Sequence, residues 1–352
     1  MQLAAGNTGF KRFLTAPREI TERGSEGKKL RALKSTFAGC LLLLVLAPAA
    51  AIVAETNLPS QIRVPKPRSV HDVSHQYYME LLHKALHKAA AGRLLPDILP
   101  VAEMEQGRAV RELQKGQIID LFWMGTDRDK EQQLRAIRIP LERGLMGFRM
   151  LTIQRNQLEK FSQISSLQQL HKLTACQGLS WPDTQILQQA GLKVLTSPVY
   201  ENLFKQVNAG RCDYFPRGLH EGQTELRERA TLYPGLMRYP DMMLHYPFAI
   251  YFFTGKQNEA LAQWIEQGLE LMIADGELLA HMRQHPLTAH VFPLSQFTMA
   301  HWLELQNPGL SPDTNFTDRH YWFVPADFTG SEFDKNLPAV QPQGQPPKQH
   351  DM

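Results

Sequence analysis

Residues 200–218 read YENLFKQVNAGRCDYFPRG. A helix, YENLFKQVNAG, runs into a glycine turn, and CDYFPRG follows as a short apolar strand that stops at Pro216 and Arg217. Helix, glycine, buried strand is the unit of an α/β protein. A guanidinium at the end of such a strand needs a purpose, which makes Arg217 the first residue to explain.

The same unit recurs on both sides. Upstream, LTACQGLS reads as a strand, PDTQILQQAG as a helix stopped by Gly191, and LKVLTSP as the next strand. GLMGFRMLTIQ is a strand and SSLQQLHKL a short helix, so a complete α/β lobe is expected over 146–239. Nearer the N-terminus, PSQIRVPK, PDILPVAEM and QIIDLFWMG read as strands. Between them lie the helices SHQYYMELLHKALHKAA and GRAVRELQKG. A further strand, YPFAIYFFTGK, and the amphipathic helix NEALAQWIEQGLELMIADGEL follow residue 240. These are expected to complete a first lobe built from 55–145 and 240–334. The Pro/Gln-rich stretch 335–352 has almost nothing to bury, and disorder is expected there.

Charge is unevenly placed. Residues 1–54 hold eight Lys/Arg and three acids, while the remainder holds 30 basic and 32 acidic side chains. The basicity of the chain is therefore local, and nucleic acid is not an expected partner. The segment FAGCLLLLVLAPAAAIVA (37–54) is uncharged, follows Lys34 and ends in small residues. Its apolar run is shorter than a membrane span, so 1–54 is expected to be an export signal with a long basic leader, with an uncleaved membrane anchor as the alternative. The expected location is then the periplasm. Cys176 and Cys212 remain beyond the signal. An oxidising compartment permits a bridge between them, and two buried thiols are the alternative.

Several segments together resemble the periplasmic solute-binding proteins of the type II fold, nearest to the polar amino-acid-binding group and its uncharacterised relatives. They are GRAVRELQKGQIIDLFWMGT, IPLERGLMGFRMLTI, LQQLHKLTACQGLSWPDTQIL, YENLFKQVNAGRCDYFPRG and NEALAQWIEQGLELMIADGEL, in that order. The resemblance implies two lobes, each a mainly parallel sheet flanked by helices. It also implies chain crossings near Gly144–Gly147 and Met237–Leu244, and ligand capture between lobes that close by a hinge.

In open α/β sheets, ligands sit beyond the carboxyl ends of the strands. WMGTDR places Trp123, Thr126 and Arg128 at one such end. The resemblance implies a Thr/Arg clamp on a ligand carboxylate there, with Lys130 as the alternative cation and a solvated turn as the plainer reading. In GLSWPDT, the Ser180 to Asp183 spacing is that of a capping box, and Trp181 is the candidate ligand-facing wall. In the opening stretch Asp213 matches the amino-acid pattern. Relatives hold the ligand's amino group with a later acid, where this chain has Arg217 or Gly218. That reversal implies an anionic, carboxylate-bearing solute, unless Arg217 pairs with an internal acid such as Asp183 or Glu221.

His83 and His87, one helical turn apart, lack a third ligand nearby, so neither a metal nor any other cofactor is expected. The leading expectation is a monomeric binding protein without catalysis, delivering a small solute to a membrane permease or sensor. The alternatives are a dehydratase-like enzyme using Asp183 or Glu221, and a periplasmic sensor with a degenerate cleft.

Overall fold

A computed structural model describes residues 59–330 of the chain. The expected signal (1–54) and tail (335–352) lie outside the described residues. The chain begins with β1 (Gln61–Pro65), α1 (Ser74–Lys88), β2 (Asp97–Ala102), α2 (Gln106–Lys115) and β3 (Leu121–Gly125). A short α3 (Arg128–Gln133) and β4 (Arg135–Ile137) follow. After the first crossing come β5 (Phe148–Gln154), α4 (Leu158–Ser162), α5 (Leu167–Leu170), β6 (Thr174–Gly178) and α6 (Pro182–Gln189). Then come β7 (Lys193–Ser197), α7 (Tyr200–Asn208), β8 (Tyr214–Gly218), α8 (Gly222–Glu228) and β9 (Leu236–His245). The chain returns through β10 (Ile250–Thr254), α9 (Glu259–Ala274), α10 (Glu277–Gln284) and β11 (His301–Glu304).

This is a two-lobed mixed α/β fold. In the first lobe β1 and β2 run parallel, and β10 lies antiparallel between β3 and β4. The Asp120 N–H donates to the Arg63 carbonyl at 2.8 Å and ties β1 to the β3 side. The second lobe is one sheet in the order β11-β9-β5-β8-β6-β7. Only part of each lobe is parallel, which corrects the expected mainly parallel sheets. Parallel neighbours need a crossover within the lobe, as β6, β7 and β8 have. Strands reached by crossing between lobes, such as β10 and β5, pair antiparallel instead.

Local sequence explains the elements. Every residue of β3, LFWMG, is buried, as its unbroken apolar run requires. Gly116, at φ 65°, ends α2 in the left-handed conformation that glycine adopts without cost. Helices α1 and α9 pack so closely that a Cβ on Gly268 would fall 1.9 Å from the Ala85 carbonyl oxygen. The Trp264 indole N–H donates to the Leu86 carbonyl in the same contact, at 3.0 Å.

The two crossings press against one another: the Tyr246 N–H donates to the Gly147 carbonyl at 3.1 Å. The boundary expected at residue 240 falls inside β9, all of which belongs to the second-lobe sheet. Strand β11 joins the same sheet beside β9, so 240–334 is not wholly first lobe. Beyond β11 the chain doubles back across the crossings. Asn307 donates to the Pro247 carbonyl at 2.8 Å, and the Phe323 N–H to the Arg143 carbonyl at 2.7 Å. The segment then grips the first lobe, where the Arg128 N–H donates to the Gly309 carbonyl (2.8 Å) and the Tyr321 hydroxyl to Glu270 (2.9 Å).

The second lobe has its own apolar cluster around Tyr200, Phe204, Val207 and Phe215. Within it Cys176 on β6 and Cys212 before β8 form a disulfide, their Cα atoms 5.6 Å apart.

Candidate functional site: a cleft between the lobes

Strand ends from both lobes converge on a cavity of about 50 Å³, several times the roughly 10–15 Å³ that holds one water. The first lobe contributes Arg68 after β1, Tyr78 from α1, Glu105 before α2, Trp123 from β3, and Phe248 from the second crossing. The second contributes Arg149 from β5, Trp181 and Asp183 at the start of α6, and Arg217 and Glu221 at and after the end of β8. The charged lining is balanced. Lys66, Arg68, Arg149 and Arg217 face Asp72, Glu105, Asp183 and Glu221.

Most of these charges answer one another. Arg217 is 2% exposed and donates to both oxygens of Glu225 at 2.7 Å. It also lies 2.8 Å from Glu221. Burial opposes its charge, but the two glutamates outweigh that and raise the Arg217 pKa above its ordinary value. Glu225, despite its burial, is held below its ordinary value by Arg217, and accepts the Tyr200 hydroxyl as well. Burial pushes Glu221 upward, against the pull of Arg217. Arg149 pairs with Asp183, which also accepts the Tyr246 hydroxyl at 2.6 Å, and lies 3.7 Å from Glu221.

Behind the Tyr78 wall, Glu142 is fully buried in the first crossing and accepts the Tyr78 hydroxyl. Burial raises its pKa to about 8, so it carries a proton at neutral pH.

The lobes touch at the cleft's mouth. The Ser69 hydroxyl donates to Glu201 at 2.7 Å, and the Arg68 guanidinium lies 4.2 Å from the Tyr200 ring centre. Arg229 on the second lobe holds the same Glu201.

The structure brings Trp123, Trp181, Asp183 and Arg217 together on the cavity and leaves the other expected site residues elsewhere. Thr126 is buried and donates to Glu131 at 2.6 Å, because α3 folds back over the end of β3. Arg128 lies in α3 with its exposed guanidinium donating to the Leu310 carbonyl at 3.4 Å, and Lys130 is tied to Asp127. No clamp faces the cleft from that loop. Ser180 borders a separate small cavity with Glu105 and Tyr200. The capping box is also absent: Trp181 occupies the cap position and Asp183 turns inward to Arg149. Trp181, the candidate ligand-facing wall, is 8% exposed, stacked on Phe215 (ring centres 6.2 Å apart) and beside Arg217. Asp213 accepts the Thr174 N–H at 2.8 Å and Lys160 at 2.6 Å, a structural duty joining β6 to β8.

Arg149, Glu225 and the Arg68–Asp72 pair were missed. One signal was visible: an arginine in the middle of GLMGFRMLTIQ, where every neighbouring strand residue is buried. With Arg217 neutralised by its own glutamates, the reversed-sign argument for an anionic solute loses its basis. Asp183 and Glu221, the acids considered for catalysis, are both engaged by arginines.

No family model and no curated protein matches the sequence. Among solved structures, the chain is similar to an ancestral arginine-binding protein bound to arginine (16% identity, 64% of this chain and 98% of that one, TM-score 0.49). It is similar to a histidine kinase sensor domain with similarity to periplasmic binding proteins (12%, 64% and 94%, 0.49). It is also similar to a periplasmic His/Glu/Gln/Arg/opine family-binding protein from Silicibacter pomeroyi in complex with lysine (11%, 64% and 95%, 0.48). Each likeness spans about two thirds of the chain at low identity. The two-lobed arrangement stands on the chain's own sheets and crossings.

Proposed function

We propose that the chain is an extracytoplasmic solute-binding protein that holds a small molecule between its lobes for a membrane permease or sensor. One observation carries this reading: side chains from both lobes converge on a single cavity at the strand ends, where a ligand bridges what a hinge separates. The solute is of near-zero net charge, since the lining charges balance and largely satisfy one another. Trp123, Trp181, Tyr78 and Phe248 offer it apolar and aromatic walls. Binding without turnover is supported by Asp183 and Glu221, the two acids considered for catalysis, being held by arginines. The basic, then apolar, N-terminal segment and the disulfide both suit an oxidising compartment outside the cytoplasm. Among the described residues no helix is long and apolar enough to cross a membrane.

Mass spectrometry of small molecules released on denaturing the purified protein tests this directly. A recurrent compound of near-zero net charge is expected. A purely anionic set would overturn the neutral-solute reading, and chemical conversion of an added candidate would overturn binding without turnover. A second reading, a sensor or interaction protein whose cleft no longer captures solute, draws on the small cavity and its internally paired charges. No released compound, together with no thermal response to a broad metabolite set, supports that reading instead.

A further inference from the structure

A second cavity, of about 230 Å³, lies where the two crossings meet the segment beyond β11. Its walls include Phe148 on β5, Phe248 in the second crossing, and Phe316, Trp322 and Val324 in the returning segment. Among the described residues, Phe248 is the one side chain it shares with the cleft lining. The rings are fixed by their own packing. Trp322 lies so close to the first crossing that a Cβ on Gly144 would fall 2.4 Å from it, and Gly144 has the positive φ, 79°, that glycine tolerates. Phe148 stacks on His245, with ring centres 4.4 Å apart. Phe316 is 42% exposed at the rim and Thr317 is exposed beside it, so the space opens to solvent there.

Folded interiors leave few voids larger than a water molecule, and rings that face empty space forgo the contacts that packing gives. Water is a poor occupant here. No Asp, Glu, Lys or Arg lines the cavity, and its polar side chains have partners elsewhere. The Tyr246 hydroxyl donates to Asp183 at 2.6 Å, His245 Nδ1 lies 2.6 Å from Glu304, and the Thr317 hydroxyl donates to Asn315 at 2.8 Å. A dry apolar cavity of about 150 Å³ accepts benzene, so 230 Å³ admits one ring with a short substituent. We propose that this cavity is a second binding site, for an uncharged molecule of one aromatic ring held between the crossings and the returning segment. The site stands whether or not the cleft captures a solute.

The test is a fluorine NMR titration of fluorobenzene with the purified protein. A saturating shift with a Kd of about 0.1–1 mM is expected, within what so few non-hydrogen atoms can supply. Unlabelled benzene should compete, and benzoate, the same ring carrying a charge, should not. Val324→Trp fills the cavity and is expected to weaken binding at least tenfold. Phe316→Ala, at an exposed position, removes one wall and is expected to weaken binding about threefold; it keeps the test open if the first variant folds poorly. Trp181→Ala separates this cavity from the cleft: loss of binding in that variant, with Val324→Trp unaffected, would put the ring in the cleft and overturn the proposal. It also fails if no saturating shift is seen, if benzoate competes as well as benzene, or if Val324→Trp and Phe316→Ala both bind as the natural chain does.

Discussion

Arg217 and Glu225 meet as a doubly hydrogen-bonded pair, with the guanidinium Nε and Nη2 each 2.7 Å from a carboxylate oxygen. Both side chains are 2% exposed. The arginine at the end of the buried strand is therefore the centre of an internal network in the wall of the cleft. Removing one member leaves a buried charge unanswered, which costs about 3–5 kcal/mol. Arg217→Met is expected to lower unfolding free energy by that amount in urea titrations. Arg217→Met combined with Glu225→Leu should recover part of the loss, since Glu221 and the Tyr200 hydroxyl still lose a partner. A single variant of wild-type stability would show that the pair contributes nothing to the fold.

The contact between Ser69 and Glu201 joins the lobes directly. Ser69→Ala removes the bond to Glu201, about 0.5–1.5 kcal/mol of contact between the lobes, together with a local bond from the His71 N–H (3.1 Å). Small-angle scattering is expected to show a larger radius of gyration for the variant, with urea stability of each lobe little changed. An identical scattering profile would mean that other contacts suffice to hold the lobes together.

Stability should peak near pH 6.5. Glu142 binds its proton up to about pH 8 in the folded protein, against 4.5 ordinarily, so folding holds an extra proton and stability declines as pH rises between those values. His220 is lowered to about 3 by burial and neighbouring cations. His281 and His290 are lowered to about 4, again with burial as the leading cause. For these the unfolded chain takes the protons, so stability is lost as pH falls below 6.5 toward 4. Each group contributes a slope of about 1.4 kcal/mol per pH unit within its window. Glu142→Gln should flatten the alkaline limb from pH 6.5 to 8 in urea midpoints, and an unchanged limb would remove Glu142 from the account.

The disulfide closes a loop with a sequence separation of 36 residues. Chain-entropy arguments put its contribution at about 4 kcal/mol. A Cys176→Ser, Cys212→Ser protein is expected to unfold at correspondingly lower urea concentration, and reducing agent should do the same to the natural chain. If reductant leaves the midpoint unmoved, the bridge is absent in solution.

Much of this architecture was legible in the sequence. Buried strands such as LFWMG and helices closed by glycine announce themselves through unbroken apolar runs and backbone needs that are local. Strand β9 escaped because LMRYPDMMLH mixes exposed and buried positions and contains a proline, so neither a steady alternation nor an apolar run marks it. The site was harder for a different reason. Trp181, Asp183 and Arg217 could be placed at strand ends, but what Arg217 does depends on Glu225, a turn of helix beyond the end of the strand. Whether Asp183 caps a helix or meets Arg149 is likewise decided 34 residues away in sequence. Residue type is local information, while ionic partnership is tertiary.

The segment beyond β11 gives the hinge a third tether. Two crossing strands alone let one body swing freely about the other, like a door on a pair of pins. Here a further run of chain is stitched to the six-stranded sheet at His301–Glu304 and fastened to the first lobe through Gly309 and Tyr321. Any swing must stretch, slide or unfasten that strap, so the opening angle is restrained from outside the cleft lining. Hydrogen exchange at Arg128, whose amide is fastened to the strap, would then report the opening of a cleft that it does not line. Equal protection of that amide in opened and closed protein would argue against this coupling. Under the proposed binding role, opening of the cleft would be legible on the outside of the molecule.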